Sequence, residues 1–245
     1  MKEWQDLGFL LEITGDGSPS LRLFAGEKAG ESMHHSAGAA TETEIIYGGP
    51  IKTVLSVLST PTILSVGLGL GYVEICVVRE SIRSGKIPKC LITYELVEDL
   101  SRNFLSWFRE QELPQQVTST YEAVCKALNL DPILARRHLR IWYEQGIFIV
   151  RGTMGLNSPP KEKFNLICYD AFSVKTSPEL WQEEELKTFL QSCTHIDSVL
   201  TTYACTGALK RALAASGYKV IVREGFAGKR NSTLAVRGLF KAQYP

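Results

Sequence analysis

One stretch constrains this chain more than any other: the apolar run Ile63-Leu64-Ser65-Val66, closed by Gly67-Leu68-Gly69-Leu70-Gly71-Tyr72. A short aliphatic run of this kind reads as a buried parallel strand. Glycines at its carboxyl end let the backbone turn sharply and approach a ligand where a side chain would intrude. The spacing Gly-x-Gly-x-Gly is tighter than the dinucleotide fingerprint Gly-x-Gly-x-x-Gly, whose third glycine packs a helix beneath a pyrophosphate. It suits a nucleoside cofactor without phosphates, such as S-adenosylmethionine (SAM). The run Leu91-Ile92-Thr93-Tyr94-Glu95 repeats the pattern and ends in an acid, and a carboxylate at such a strand end accepts the two hydroxyls of an adenosine ribose. The competing readings are a purely structural turn and a solvated strand end.

The rest of the composition bounds the answer from outside. At 245 residues and 44% hydrophobic, the chain can bury a full α/β core. A single unit over 1–245 is expected, with a hairpin and a shaped loop in 1–60 and a Rossmann-like core over 61–245. The six cysteines never fall as Cys-x-x-Cys and several lie within apolar runs, which predicts reduced thiols in a cytoplasmic protein. Four scattered histidines offer no paired ligand spacing, so no metal is expected. The first 30 residues lack a basic start followed by an apolar stretch, which predicts neither a signal peptide nor a membrane span. A net charge of +1 excludes a uniformly basic nucleic-acid coat, so a polyanion partner must be held by a local patch.

Taken in order, Phe9-Leu10-Leu11-Glu12-Ile13 and Leu21-Arg22-Leu23-Phe24 flank a Gly/Asp/Pro turn and predict a hairpin added at the edge of the main sheet. Residues 31–42 follow neither period and predict a shaped loop, in which adjacent His34 and His35 with nearby glutamates either contact a metal or polar ligand or simply lie at the surface. After the glycine turn come a helix over 72–84 and a strand over 90–94, a unit whose strands run parallel. Amphipathic helices are expected over 101–111 and from 121. For 136–152 the pattern predicts an antiparallel hairpin, with a helix through His138 and Trp142 as its rival; Arg136, Arg137, Arg140 and Arg151 make this segment basic, most simply as solvated charges. Phe164-Asn165-Leu166-Ile167-Cys168-Tyr169-Asp170 is another buried run that delivers an acid to the edge where ligands collect. A helix over 179–192, a strand over 197–203, a helix over 208–215 and strands at 218–223 and 232–236 complete the chain.

These residues resemble the methyltransferase domain of the bacterial enzymes that finish 5-methylaminomethyl-2-thiouridine at the tRNA wobble position, the MnmC/MnmD family. The most specific part is Asp170-Ala171-Phe172-Ser173-Val174-Lys175-Thr176-Ser177-Pro178-Glu179-Leu180-Trp181, which is similar to the family's Asp-Gly-Phe-Ala-Pro, two variable residues, and Asn-Pro-Glu-Leu-Trp. Gly38-Ala39-Ala40-Thr41-Glu42, the glycine turn, Thr202-Tyr203 with Gly207, Arg211-Ala212-Leu213 and Gly225-Phe226-Ala227-Gly228-Lys229-Arg230 match in the same order. Ser65 stands where the family usually has an acid, Val73 near a usual asparagine, Val174 for a proline, and Gly152-Thr153 where many SAM enzymes carry Gly-Asp.

The resemblance implies a Rossmann-like SAM-dependent methyltransferase without the fused flavin oxidase domain of some relatives. It implies Asp170 as the catalytic residue, Glu42, Gly67, Gly69, Gly71, Glu95 and Asp170 toward the cofactor, and Phe172 and Tyr203 toward the substrate, the tRNA anticodon loop. Lys175, Lys210, Arg211, Lys229 and Arg230 lie in or beside loops that follow strands and are the candidates for its phosphates. Two rival readings are a small-molecule methyl- or aminopropyltransferase of the same fold and a fold relative that no longer holds SAM.

Overall fold

The computed structural model describes residues 2–25, 28–228 and 231–244. The strand that carries the glycine turn, β4 (Thr62–Val66), lies inside a seven-stranded sheet. Its other members are β5 (Cys90–Tyr94), β6 (Phe148–Arg151), β7 (Phe164–Tyr169), β8 (Thr194–Thr202), β9 (Lys219–Glu224) and β10 (Asn231–Arg237), in the order β6-β5-β4-β7-β8-β10-β9. Pairs from β6 through β8 are parallel, and β10 runs against both its neighbours. This is a Rossmann-like sheet with one reversed strand.

Alternation along each strand sends successive side chains to opposite faces. Ile63, Leu91, Leu166, Val199 and Leu234 enter one core layer, and Leu64, Ile92, Ile167, Leu200 and Ala235 the other. Both faces are covered, so the strands read as continuous apolar runs rather than alternating ones. The first layer packs under α1 (Ala39–Thr43), α2 (Gly49–Val57), α3 (Tyr72–Ser84), α4 (Glu98–Phe108), α5 (Gln115–Ala127) and α6 (Pro132–Glu144); the second packs under α7 (Glu183–Cys193) and α8 (Gly207–Ala215). No helix among the described residues is long and apolar enough to cross a membrane. All six cysteines are thiols.

The N-terminal hairpin forms where expected but not at the edge of the main sheet. β1 (Phe9–Ile13), β2 (Pro19–Ala25) and β3 (Lys28–Ser32) make a separate antiparallel sheet, so the first residues of the supposed loop 31–42 end a strand and its last residues begin α1. The reason is burial. Trp4, Phe9 and Leu21 belong to the first core layer. The Trp4 indole donates to Thr120 Oγ1 at 3.0 Å, its ring lies 5.8 Å from Tyr121, and the Tyr72 hydroxyl donates to the Pro19 carbonyl at 2.7 Å. The small sheet is thereby fastened over α3 and α5.

The hairpin expected over 136–152 is instead the helix α6 followed by β6, which pairs parallel to β5. Asp131 accepts from the Ile133 amide at 2.8 Å and Pro132 occupies the first turn, a strong start signal. Ala135, Leu139 and Trp142 are buried along one helical face, and Gly146 ends it at φ 69. Three of the four arginines pair with acids, Arg136 with Glu122, Arg140 with Glu110 and Arg151 with Glu162, and Arg137 is exposed.

Candidate active site

The register of the central strands levels three residues at one edge. Val66 pairs with Tyr94 on one side and Tyr169 on the other, so the next residues, Gly67, Glu95 and Asp170, emerge together. The Gly67 amide donates to the Tyr94 carbonyl at 2.9 Å and the Asp170 amide to the Val66 carbonyl at 2.8 Å. Gly67 has φ 96, and a Cβ there would lie 2.5 Å from the Asp170 carbonyl oxygen. Strain and collision act together at this position. Gly67→Ala is therefore expected to weaken SAM binding at least about tenfold, read by calorimetry; unchanged affinity in folded protein would dissociate the turn from the cofactor.

Glu95 is buried and braces that turn. Its Oε2 accepts from the Leu68 and Gly69 amides at 3.0 Å each, and its Oε1 from the Val97 amide at 2.8 Å. Burial pushes its carboxyl above the usual range, while these amide bonds pull it back. A carboxylate has about four acceptor positions, so most of this one is spent on the backbone.

Asp170 has a partner that the sequence did not disclose. The Tyr47 hydroxyl donates to its Oδ1 at 2.5 Å. Tyr47 is 3% exposed and sits in a π-turn, Glu44–Gly48, between α1 and α2. Burial first, and then the neighbouring Asp170, push the Tyr47 hydroxyl well above its usual range, so it stays protonated and remains a donor. The segment after Asp170 is held by Tyr203, whose hydroxyl donates to the Ala171 carbonyl at 2.8 Å, and by Trp181, whose indole donates to the Phe172 carbonyl at 2.8 Å. From the small sheet, Glu31 accepts from the Ser173 amide and hydroxyl and from the Thr176 hydroxyl. Glu42 on α1 accepts from the His35 amide at 2.7 Å.

Glu42, Gly67, Gly69, Glu95, Asp170, Phe172 and Tyr203 line one cavity at this edge, together with Tyr47, Tyr72, Glu31 and Glu179. Gly71 stands behind it, in the left-handed conformation that starts α3. Among the described residues, five that line it are acids, one is a histidine, His34, and none is lysine or arginine. Lys175 and Lys210 line a second cavity, which Tyr203 shares with the first. Arg211 lies apart, exposed and paired with Glu183 at 2.6 Å. Lys229 and Arg230 lie outside the described residues.

A family described as S-adenosyl-L-methionine-dependent methyltransferase matches residues 112–238, just over half of the chain. The chain belongs to this methyltransferase family. The bifunctional tRNA 5-methylaminomethyl-2-thiouridine biosynthesis protein MnmC of Campylobacter hominis is 24% identical over 194 residues, which are 77% of this chain and 27% of that protein. An uncharacterized protein of Methanocaldococcus jannaschii is 25% identical over 251 residues, covering 97% of this chain and 62% of its own length. The methyltransferase thus spans about a quarter of the one relative and under two thirds of the other. Among solved structures, MnmC2 from Aquifex aeolicus superposes with a TM-score of 0.65 at 21% identity, over 94% of this chain and 70% of that one. Spermidine synthase from Thermotoga maritima superposes at 0.55 and 14% identity, over 94% and 69%. Both likenesses are of fold.

For this methyltransferase, sequence reasoning passed over Tyr47, Glu31 and Glu179. Glu179 lies inside the Pro-Glu-Leu-Trp match and was legible. Tyr47 and Glu31 reach their partners across 123 and 142 residues of chain, and no local periodicity records such pairings.

Proposed function

We propose that the protein methylates a primary amine carried on a polynucleotide, namely the aminomethyl group of 5-aminomethyl-2-thiouridine at the tRNA wobble position. One observation carries this reading: among the described residues, a cavity lined by five acids, His34 and no lysine or arginine adjoins a second cavity lined by two lysines. The first suits cationic reactants and the second suits phosphates. A small diamine, the acceptor in an aminopropyl transfer, would use the acids but leave the lysines without work. The name of the Campylobacter relative points the same way.

The residues present fit SAM. The turn at Gly67 has no room for a side chain, Glu95 stands at the adjoining strand end, and a sulfonium cation suits carboxylate walls. The backbone of Gly67 and Gly69 with Glu42 and Glu95 would hold it, Glu95 keeping about one acceptor position for a ribose hydroxyl. When bound, SAM supplies a methyl group activated by positive sulfur.

Everything else falls to the chain. An acceptor ammonium cannot attack until it loses a proton, and Asp170, held by the Tyr47 hydroxyl, is the base at the sheet edge. The same carboxylate orients the amine and stabilises the cation that develops on it. Phe172 and Tyr203 flank the acceptor, which must be turned out of its stack to reach Asp170.

Lys175 and Lys210 take phosphates of the anticodon loop in this reading. Replacing both by alanine is expected to weaken tRNA binding and to flatten its dependence on log salt by about one to two units, leaving SAM affinity intact. The direct test of the reaction is mass spectrometry of wobble nucleosides from cells lacking the protein. Accumulated 5-aminomethyl-2-thiouridine supports it, and an unchanged nucleoside profile overturns it.

A further inference from the structure

Arg223 is a charged side chain that the chemistry above leaves without a task. It projects from β9, at the far edge of the sheet, back across β10 and β8. Its Nη2 donates to Thr201 Oγ1 at 3.0 Å, to the Ile46 carbonyl at 3.3 Å and to the Thr233 carbonyl at 3.5 Å. Its Nη1 lies 3.4 Å from the Ile45 and Ile46 carbonyls. Burial pushes its guanidinium below the usual value, and its electrostatic neighbours are Tyr47 and Tyr244 rather than any acid. A half-buried cation with no carboxylate paired to it among the described residues is costly to keep.

What it grips is the π-turn. A π-turn spaces its hydrogen bonds i to i+5 and is seldom stable unaided. Here the fully buried Thr201 donates to the Ile46 carbonyl at 2.5 Å. Because Thr201 Oγ1 accepts from Arg223, its single hydrogen is aimed at that carbonyl. The residue after Ile46 is Tyr47, whose hydroxyl meets Asp170.

We propose that Arg223 is a positioning residue which, through Thr201, fixes the π-turn so that Tyr47 is presented to Asp170. This rests on the assignment of Asp170 above, but not on the identity of the acceptor.

The test uses neither donor nor acceptor. The Asp170 carboxyl is followed by carbon-13 NMR across a pH titration of the whole protein, its resonance identified by its disappearance in Asp170→Asn. Tyr47→Phe removes a hydrogen bond to the ionised form, so the midpoint moves up by about one to two pH units. Arg223→Met, Arg223→Lys and Thr201→Val are each expected to move it up by about half a unit or more, and none should add to the shift in the Tyr47→Phe background. An unmoved midpoint in folded Arg223→Met overturns the proposal. So does a shift in Arg223→Met that Arg223→Lys does not share, or one that persists when Tyr47 is already phenylalanine, because Arg223 would then act by its charge alone. If Arg223→Met does not fold, Thr201→Val, which removes only the relaying hydroxyl, carries the same expectations.

Discussion

Asp170→Asn should retain SAM binding and lower methyl transfer by about two to four orders of magnitude, the range of a lost general base. Asparagine keeps the size of the side chain and still offers an oxygen to the Tyr47 hydroxyl, so the sheet edge and the loop held by Tyr203 and Trp181 are preserved. What disappears is the capacity to take a proton from an ammonium and to balance the positive charge that forms on nitrogen. Calorimetry with SAM and single-turnover transfer to wobble-hypomodified tRNA separate the two effects. Equal loss of SAM affinity would make Asp170 a cofactor ligand alone, and unchanged transfer would remove it from the chemistry.

The second large effect is on stability. Glu74 is fully buried in α3; its Oε1 accepts from Thr93 Oγ1 at 2.8 Å, while its Oε2 and the nearby Ser65 Oγ make no hydrogen bond. Burial pushes its carboxyl from 4.5 to about 7, with the hydrogen bond from the Thr93 hydroxyl working against that rise. A carboxyl raised on folding favours the folded state while it is protonated. That contribution is complete below about pH 4.5 and is lost as pH rises through about 7. At pH 8.5 the buried carboxylate costs about 3 kcal/mol relative to a neutral group.

Glu74→Gln keeps the acceptor for Thr93 and supplies a donor for Ser65. It should match the wild type near pH 5 and exceed it by about 5–10 °C in Tm at pH 8.5. Parallel Tm curves across this range would show that Glu74 does not titrate there. The Glu74 carboxyl lies beside Ser65. Ser65 and Thr93 pair across β4 and β5, and Glu74 brings a carboxyl to this place from the helix instead of from the strand.

The central β4–α3–β5 unit was legible because its signals are local. Apolar runs fix the strands, glycines fix the turn, and Gly85, at φ 68, closes the helix where the periodicity stops. Asp170 was legible for the same reason, as the acid that ends a buried run. α6 was misread because Leu139-Arg140-Ile141-Trp142-Tyr143 alternates over five residues, and the capping at Asp131-Pro132 that decides for a helix lies several positions upstream. The placement of the small sheet depends on Trp4 meeting Thr120, and the presentation of Tyr47 depends on Thr201 and Arg223 gripping Ile46. These contacts join residues 116, 155 and 177 positions apart. Sequence periodicity reports which face of an element is apolar; it is silent on which distant side chain will cover it. The π-turn is the clearest instance, since its grip comes from distant elements: Arg79 of α3 on the Glu44 carboxylate, and Thr201 of β8 and Arg223 of β9 on the Ile46 carbonyl.

The central claim is that an acid-lined pocket beside a pair of lysines methylates an amine on tRNA. It is tested most directly by incubating the purified protein with SAM and tRNA bearing 5-aminomethyl-2-thiouridine, then resolving the digested nucleosides by mass spectrometry. The account predicts conversion of that nucleoside to one heavier by a single methylene, abolished when the wobble amine is acetylated beforehand. SAM binding without any such conversion, or equal conversion of the free nucleoside and of intact tRNA, would contradict it.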